Sequence, residues 1–377
     1  MRVLFSLLFL ILFVHITSAQ LVLKSEKGEF ECRLIGRALV DGGVFFSDKT
    51  PLGNAVEVYD VRLGTTMRFL DHWYGKIEIG FANSEVSLKD VYIEYQQKRH
   101  AIRIGHYYEA FGLDYRIGTS DMKFNGASVT GKAFGDRRKL GISYIYNVDA
   151  LNLWTGIFSD KDVDNKEKGD EGYTIAGRYL YRPYVNGDNA VHIGLSSRFS
   201  THGEAEKNTI TYAAGAPSEL LSEKFLKAEV TEAINQWKLG AEIILVYDKF
   251  YMQSEYMLGH VNRRHAVSNY NGDGWYVQMG YALLSGKYGY SKMTGMAKSP
   301  GTKSLEVLCR YNVTNLNDRK AGIMGGKQND LSLGAIYYFN KYIAAKMSYS
   351  LVSLDKYAQI DGKQTFNMIQ GRVQVSF

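Results

Sequence analysis

Beyond its first twenty residues this chain has no apolar run of about 18 residues, which excludes an ordinary transmembrane helix. Cysteine is scarce. Cys32 and Cys309 would ordinarily form one structural disulfide in an exported chain, and no Cys/His spacing suggests a zinc site. The four prolines (Pro51, Pro183, Pro217, Pro300) read as loop positions, as in strand-rich chains. Catalytic signatures are missing too: there is no G-x-S-x-G turn and no H-E-x-x-H helix. The glycine-rich stretch 322–326 lacks the helix a phosphate loop requires, and His260 and His265 read as loop residues. A net charge of +6 with no basic run gives no footing for nucleic acid. No enzyme activity, metal or cofactor is expected. A lipid-facing Ser/His esterase is the one catalytic class that alternation does not eliminate.

What is present begins with an export signal. Residues 1–19 carry one Arg, an apolar run over 3–14 and the small residues Thr17, Ser18 and Ala19, the pattern of a cleaved signal peptide. Its removal lowers the formal charge from +6 to about +5. Residues 20–377 are then one exported domain. Tyrosine is abundant, at 28 residues, and the last twelve residues, FNMIQGRVQVSF, alternate cleanly. Phe377, Val375, Val373, Gly371 and Ile369 share one face, and Ser376, Gln374, Arg372 and Gln370 the other. A period of two with one apolar and one charged face marks a strand between two different media. Hydropathy averages such strands away, so a barrel hidden in this composition looks soluble.

The same alternation recurs from Phe30 onward, in segments of about the length a tilted membrane strand needs. Tyr59 and Val61 fall on the apolar face, and Asp60 and Arg62 opposite them. Short turns at 70–72, 97–99, 147–149 and 248–249 interleave with long polar connections. The long ones are 41–55, 109–138, 160–171, 201–224 and 285–302. Short periplasmic turns and long external loops are the habit of outer-membrane barrels, and a soluble sandwich has no reason to follow it. Sixteen strands are expected in an all-β, transmembrane antiparallel β-barrel. An ambiguous stretch at 225–233 is assigned to a loop, because closed bacterial barrels have even strand numbers.

Placing the apolar face against lipid turns the charged face inward. Arg33, Arg37, Arg62, Arg68, Lys76, Arg103, Arg178, Arg198, Lys238, Arg310, Lys346 and Arg372 are then the expected pore-lining cations. The acids on that register are Glu31, Asp60, Glu78, Asp90, Glu94, Glu242, Glu255 and Glu306. Rings of cations bias a pore toward anions, while cross-strand pairs such as Asp60–Arg62 and Lys76–Glu78 would blunt that bias. Trp73, Tyr74, Tyr107, Tyr108, Trp154, Trp237, Tyr337 and Tyr338 read as interface girdles. The two cysteines fall on apolar faces, as free lipid-facing thiols. The loop over 109–138 mixes Asp114, Arg116, Asp121 and Lys123 with Phe111, Tyr115 and Phe124. Its aromatics need burial, so it is expected to fold inward and bring Arg116 and Lys123 to a constriction.

Several segments resemble the phosphate-selective porin O and P family. They are VSLKDVY (86–92), RIGHYYEAFG (103–112), LWTGIFSD (153–160), GGKQNDLSLG (325–334) and YFN (338–340). The resemblance is clearest over 56–160 and 276–377, and it implies a sixteen-stranded, usually trimeric outer-membrane channel with an inward-folded third loop. It further implies a lumenal arginine ladder and a lysine cluster in phosphate-selecting members. The Asp114 and Asp121 neighbours of Arg116 and Lys123 depart from a purely cationic neck. The expected function is passive diffusion of small hydrophilic solutes, with mild anion preference. The alternative is a surface-binding barrel that works through its long loops. Expected partners are outer-membrane lipids, further copies in a homotrimer, small anions or polar solutes, and the barrel-assembly machinery acting on the closing strand.

Overall fold

The computed structural model describes residues 21–47, 52–82, 85–160, 163, 171–201, 208–264, 267–360 and 364–377. The signal segment and most of 160–171 lie outside them. Sixteen antiparallel strands form the wall. The first five are β1 (Phe30–Ser47), β2 (Ala55–Phe69), β3 (Trp73–Gly80), β4 (Ser87–Gln97) and β5 (His100–Tyr108). Next come β6 (Arg138–Asn147), β7 (Leu151–Ser159), β8 (Tyr173–Asn186), β9 (Asn189–Thr201) and β10 (Ala233–Tyr247). The wall finishes with β11 (Phe250–Arg263), β12 (Tyr270–Leu284), β13 (Ser304–Asp318), β14 (Ile323–Tyr338), β15 (Ile343–Leu354) and β16 (Thr365–Ser376).

Each strand pairs with its neighbour in sequence, and β16 pairs with β1 from Arg37↔Ser376 to Ser47↔Phe366, which closes the ring and leaves no wall edge. Below that seam the short strand Val22–Lys24 continues along β1, opposite Arg33 to Glu31. The Phe377 carbonyl accepts from the Gly36 amide at 3.1 Å, and the Leu21 carbonyl from the Leu34 amide at 3.0 Å.

The predicted alternation holds on β16, where Phe366, Met368, Gln370, Arg372 and Gln374 are buried while Ile369 and Val373 are exposed outward. Cys32 and Cys309 are free and lie on the outward register, as expected. Of the stretch 225–233 only Ala233, the first residue of β10, enters the wall. Leu226–Val230 instead pairs with Ile210–Ala214 as a separate hairpin.

Several readings are corrected. β1 runs on to Ser47, because Asp41-Gly42-Gly43 has strand partners on both sides and no turn there. Pro183 lies inside β8, at the register shift between Val191 and Ile193, where a missing N–H is tolerated. His260 is on β11, not in a loop. A bulge between Leu39 and Val40 against β2 lets Tyr59 join Asp60 on the inside. The Tyr59 ring lies 4.8 Å from the Arg372 guanidinium.

The wall is uneven in height. Strands β3 to β7 run 8–11 residues and β8 to β14 run 13–16. Connections at one end are mostly short turns, and the chain terminus lies at that end. The stretch 285–302 joins β12 to β13 and therefore lies at the turn end, not among the long loops. Turn length alone did not report its side.

Candidate functional site

An unbroken chain of charge crosses the inner face of β1 to β6. Arg37 Nε lies 3.0 Å from Asp60 Oδ2, and Arg62 Nε lies 2.8 Å from Asp60 Oδ1. Arg62 Nη1 reaches Glu78 Oε2 at 3.2 Å, and Lys76 Nζ lies 3.7 Å from Glu78 Oε1. Lys76 then donates to Asp90 Oδ2 at 2.7 Å, and Arg138 Nε to Asp90 Oδ1 at 2.6 Å. Beside this chain Arg103 Nε donates to Glu94 Oε2 at 2.6 Å. Each acid in the chain serves at least two cations, Glu78 also lying 3.9 Å from Arg138, so neither sign is left bare. Strand pairing makes the arrangement: inward side chains on adjacent strands sit opposite one another, within ion-pair reach.

Aromatic side chains back this wall. The Arg103 guanidinium lies over Tyr92, Tyr107 and Trp154 at 4.1, 5.3 and 5.1 Å. Arg116, from the connection between β5 and β6, lies 4.4 Å from the same Trp154 ring. Its Nε and Nη1 are buried and make no hydrogen bond. Tyr107 and Trp154 are therefore inside the barrel, as are Tyr74, packed on Tyr92, and Tyr108, packed under Arg138. Tyr338 also points inward, donating to Glu306 at 2.8 Å. The girdle reading is corrected for these five. It holds for Trp237, which is exposed outward, and for Trp73 and Tyr337 on the outward register. A bulky aromatic satisfies either face of a strand, so residue type alone does not separate girdle from lumen.

The remaining inward cations do a different job. The 109–137 connection enters the barrel, and its backbone carbonyls are held by the wall. Arg372 donates to the Thr119 and Asn125 carbonyls at 3.1 and 2.6 Å. Lys346 donates to those of Ser120 and Met122, and Arg310 to that of Gly126 at 3.1 Å. Glu255 accepts from the Leu113 and Asp114 amides at 2.8 and 3.2 Å. The two ends of the connection are pinned together by Arg198, whose Nε lies 2.7 Å from Glu109 and 3.2 Å from Asp136. Lys238 donates to Asp136 at 2.9 Å.

A short helix in this connection, α1 (Val129–Phe134), is capped by Ser128 Oγ accepting from the Gly131 amide. Its Val129, Ala133 and Phe134 pack with the Ile210–Ala214 and Leu226–Val230 hairpin against Met257, Val261 and Leu316. Apolar cores thus fill much of the barrel on the β9 to β16 side.

A second insertion comes from the turn end. Residues 285–303 form a small hairpin, Gly289–Ser291 with Met296–Lys298. Tyr288 and Tyr290 pack on Ile244, Val246 and Tyr251 inside the wall. Arg178 donates to the Thr294 and Gly295 carbonyls at 3.0 and 3.2 Å, and Arg182 to that of Lys292 at 2.8 Å. Tyr290 meets His192 Nδ1 at 2.8 Å, and Tyr288 donates to Glu306 at 2.6 Å. At its exposed edge Lys292 bonds Asp149 at 2.7 Å, and this bond lowers the Asp149 carboxyl below its usual range. Lys287, bonded to Asp248, is held above the usual lysine value by the same cause.

The expected pore-lining cations therefore divide. Arg37, Arg62, Lys76 and Arg103 stand on the β1 to β6 wall, where Arg37, Lys76 and Arg103 are partly open (12–19%). Arg178, Arg198, Lys238, Arg310, Lys346 and Arg372 are buried anchors, not lining. Lys123 likewise is buried, 2.8 Å from Glu306. Arg33 pairs with Glu31 near the turn end, half exposed, and Arg68 sits exposed at the same end. Sequence reasoning missed Arg138, Asp41, Glu109 and Asp136, all read as loop. Their signal was position directly flanking a strand, where an inward charge still counts.

Comparison with known proteins agrees with this geometry. A family model described as phosphate-selective porin O and P matches residues 40–377. An uncharacterized protein of Caulobacter vibrioides is 22% identical over 346 residues, covering 86% of this chain and 69% of its own. Among solved structures, in-vitro folded OmpT of Vibrio cholerae, in its trimer form, superposes with a TM-score of 0.60 at 11% identity, covering 92% of this chain and 99% of its own. An anion-selective porin from Comamonas acidovorans superposes with a TM-score of 0.59 at 13% identity, covering 93% and 100%. At these identities the two structures speak for the fold alone.

Proposed function

The chain belongs to the phosphate-selective porin O and P family and forms an outer-membrane channel, and we propose that this channel passes small hydrophilic solutes by passive diffusion with a mild preference for anions. The observation that carries this reading is the division of the lumenal cations. The β9 to β16 side is occupied by loops anchored on buried Arg and Lys, which leaves the β1 to β6 wall to meet the solute. There four cations (Arg37, Arg62, Lys76, Arg138) share three acids (Asp60, Glu78, Asp90), and the buried Arg116 guanidinium, stacked on Trp154, adds its field beside them. A small cationic excess in a low-dielectric constriction favours anions without excluding cations.

Arg310, Lys346 and Arg372 hold loop carbonyls in this chain, so mild selectivity fits better than a high-affinity phosphate path. The low wall supports a further element of the reading, assembly as a trimer through β1 to β5. Within that face β3 to β5, of 8–11 residues, are at the lower bound for spanning lipid. In the middle of the β2 to β5 outer face the exposed residues are aliphatic (Val58, Leu63, Ile77, Ile93, Ile104), whereas β8 to β13 expose Tyr179, Tyr181, Tyr247, Tyr281 and Tyr311. Aliphatic surface of this kind, with its aromatics Phe69, Trp73 and Tyr95 gathered at the turn end, suits contact with another copy.

The test is reversal potential across a salt gradient in a planar bilayer. Discrete conductance steps with a small anion-favouring potential are expected. Absence of steps would move the assignment to a surface-binding barrel that acts through its loops.

A further inference from the structure

Outside the barrel, at the loop ends of β11 to β13, a groove of about 530 Å³ lies on the outer wall, a volume in the range of small-ligand sites. Leu258, Asn271, Asp273, Asn315, Asn317 and Asp318 line it. All but Asp318 stand on the outward register, because their strand neighbours Tyr270, Gly272, Met257 and Leu316 are buried inward. No solute crossing the lumen meets this surface. One row further down the same strands stand Tyr256, Trp275 and Val313, cross-strand neighbours. Tyr256 is 43% and Trp275 37% exposed. That row marks the edge of the apolar band, where Trp and Tyr rings sit at headgroup height.

From these observations we infer that the groove binds the saccharide of an outer-leaflet glycolipid. The side chains have the chemistry for hydroxyls: planar amides that both donate and accept, and carboxylates that accept. They are held in place before any ligand arrives. Asp318 Oδ2 accepts from the Asn271 amide at 2.9 Å, and His260 bridges Asn271 and Asn262 at 2.8 and 3.0 Å. Such preorganisation lowers the entropic cost of binding. Beside them the exposed Tyr256 and Trp275 rings offer flat apolar faces to the C–H side of a sugar ring.

Charge decides against the other part of the same lipid. The groove holds two carboxylates, Asp273 and Asp318, against one cation, Lys320, so a phosphate group would be repelled. Position decides the source. The groove opens sideways, immediately above the lipid-facing band, where glycolipid sugars already surround the protein at high local concentration.

The experiment compares the refolded wild-type chain with Asn271→Ala/Asp273→Ala/Asn315→Ala in detergent. Each is incubated with a lipooligosaccharide bearing its core sugars, or with lipid A alone, and retained lipid is read by native mass spectrometry. Wild type is expected to keep the core-bearing lipid in preference to lipid A. The triple variant should retain about tenfold less, the loss expected for a few sugar hydrogen bonds, with single-channel conductance unchanged. Equal retention by variant and wild type overturns the inference, as does lipid A binding as well as the core-bearing form. A changed oligomeric state in the variant also overturns it, since the groove would then be a contact between copies. Asn315→Ala alone serves as the folding-safe variant and should show a smaller loss in the same direction.

Discussion

Arg372 and Asp41 face each other across the seam where β16 closes on β1, with Nε 2.6 Å from Oδ1 and Nη2 2.7 Å from Oδ2 and both side chains fully buried. The pair does two things at once. It ties the last strand to the first, and it orients Arg372 so that its remaining donors hold the inward loop at Thr119 and Asn125.

Removing one partner leaves the other charge buried. Asp41→Ala is expected to cost about 3–5 kcal/mol, the range for breaking a buried pair, and Asp41→Asn distinctly less because an acceptor remains. Urea midpoints of the folded, heat-modifiable band on gels measure this. A midpoint for Asp41→Ala equal to wild type would mean the seam does not depend on the pair.

The two classes of lumenal cation should respond oppositely to neutralisation. Arg116→Ala is expected to move the reversal potential toward cations with little loss of stability. Arg310→Gln is expected to weaken the fold, since it releases Gly126, and to leave selectivity nearly as it was. Reversal potentials and thermal midpoints of both variants, taken together, read the difference.

The turn-end hairpin carries a pH dependence at its exposed edge. Asp149 has a folded value below its unfolded one, because Lys292 bonds its charged form. The tether's contribution is therefore complete above the unfolded value of about 3.9 and is lost as pH falls through the folded value. Both groups are exposed, so the effect is small. Open-channel current noise is expected to rise as pH is lowered below about 4, and Asp149→Asn to show that noise at neutral pH.

Cys32 and Cys309 report the face assignment directly. In bilayers both are expected to react with a lipophilic maleimide and to resist a charged, water-soluble thiol reagent applied from either side. Block of the channel by the charged reagent would place a thiol in the lumen.

Much of the wall was legible in the chain. Alternation on β16, the strand count and the inward register of Arg62, Arg103 and Arg310 follow from a period of two between lipid and water. What was not legible depended on partners far away in sequence. Gly42 and Gly43 look like a turn until β16 is placed beside them. The Tyr59 bulge inverts one residue's face without changing the pattern around it. Pro183 looks like a break until the β8 bulge absorbs its missing donor. The largest gap was the lumen. Register says that Arg372 points inward, but not that loop carbonyls will be waiting for it, so anchors and lining looked alike.

On the proposed reading the lumenal arginines and lysine of β13 to β16 hold loops and do not bind permeating anions. Single-channel conductance of the refolded protein in chloride, repeated with phosphate titrated in, tests it most directly. Steps whose chloride current is diluted only in proportion to added phosphate are predicted. Saturating block at low phosphate would contradict the account, because it would require Arg310, Lys346 and Arg372 to be open to the solute.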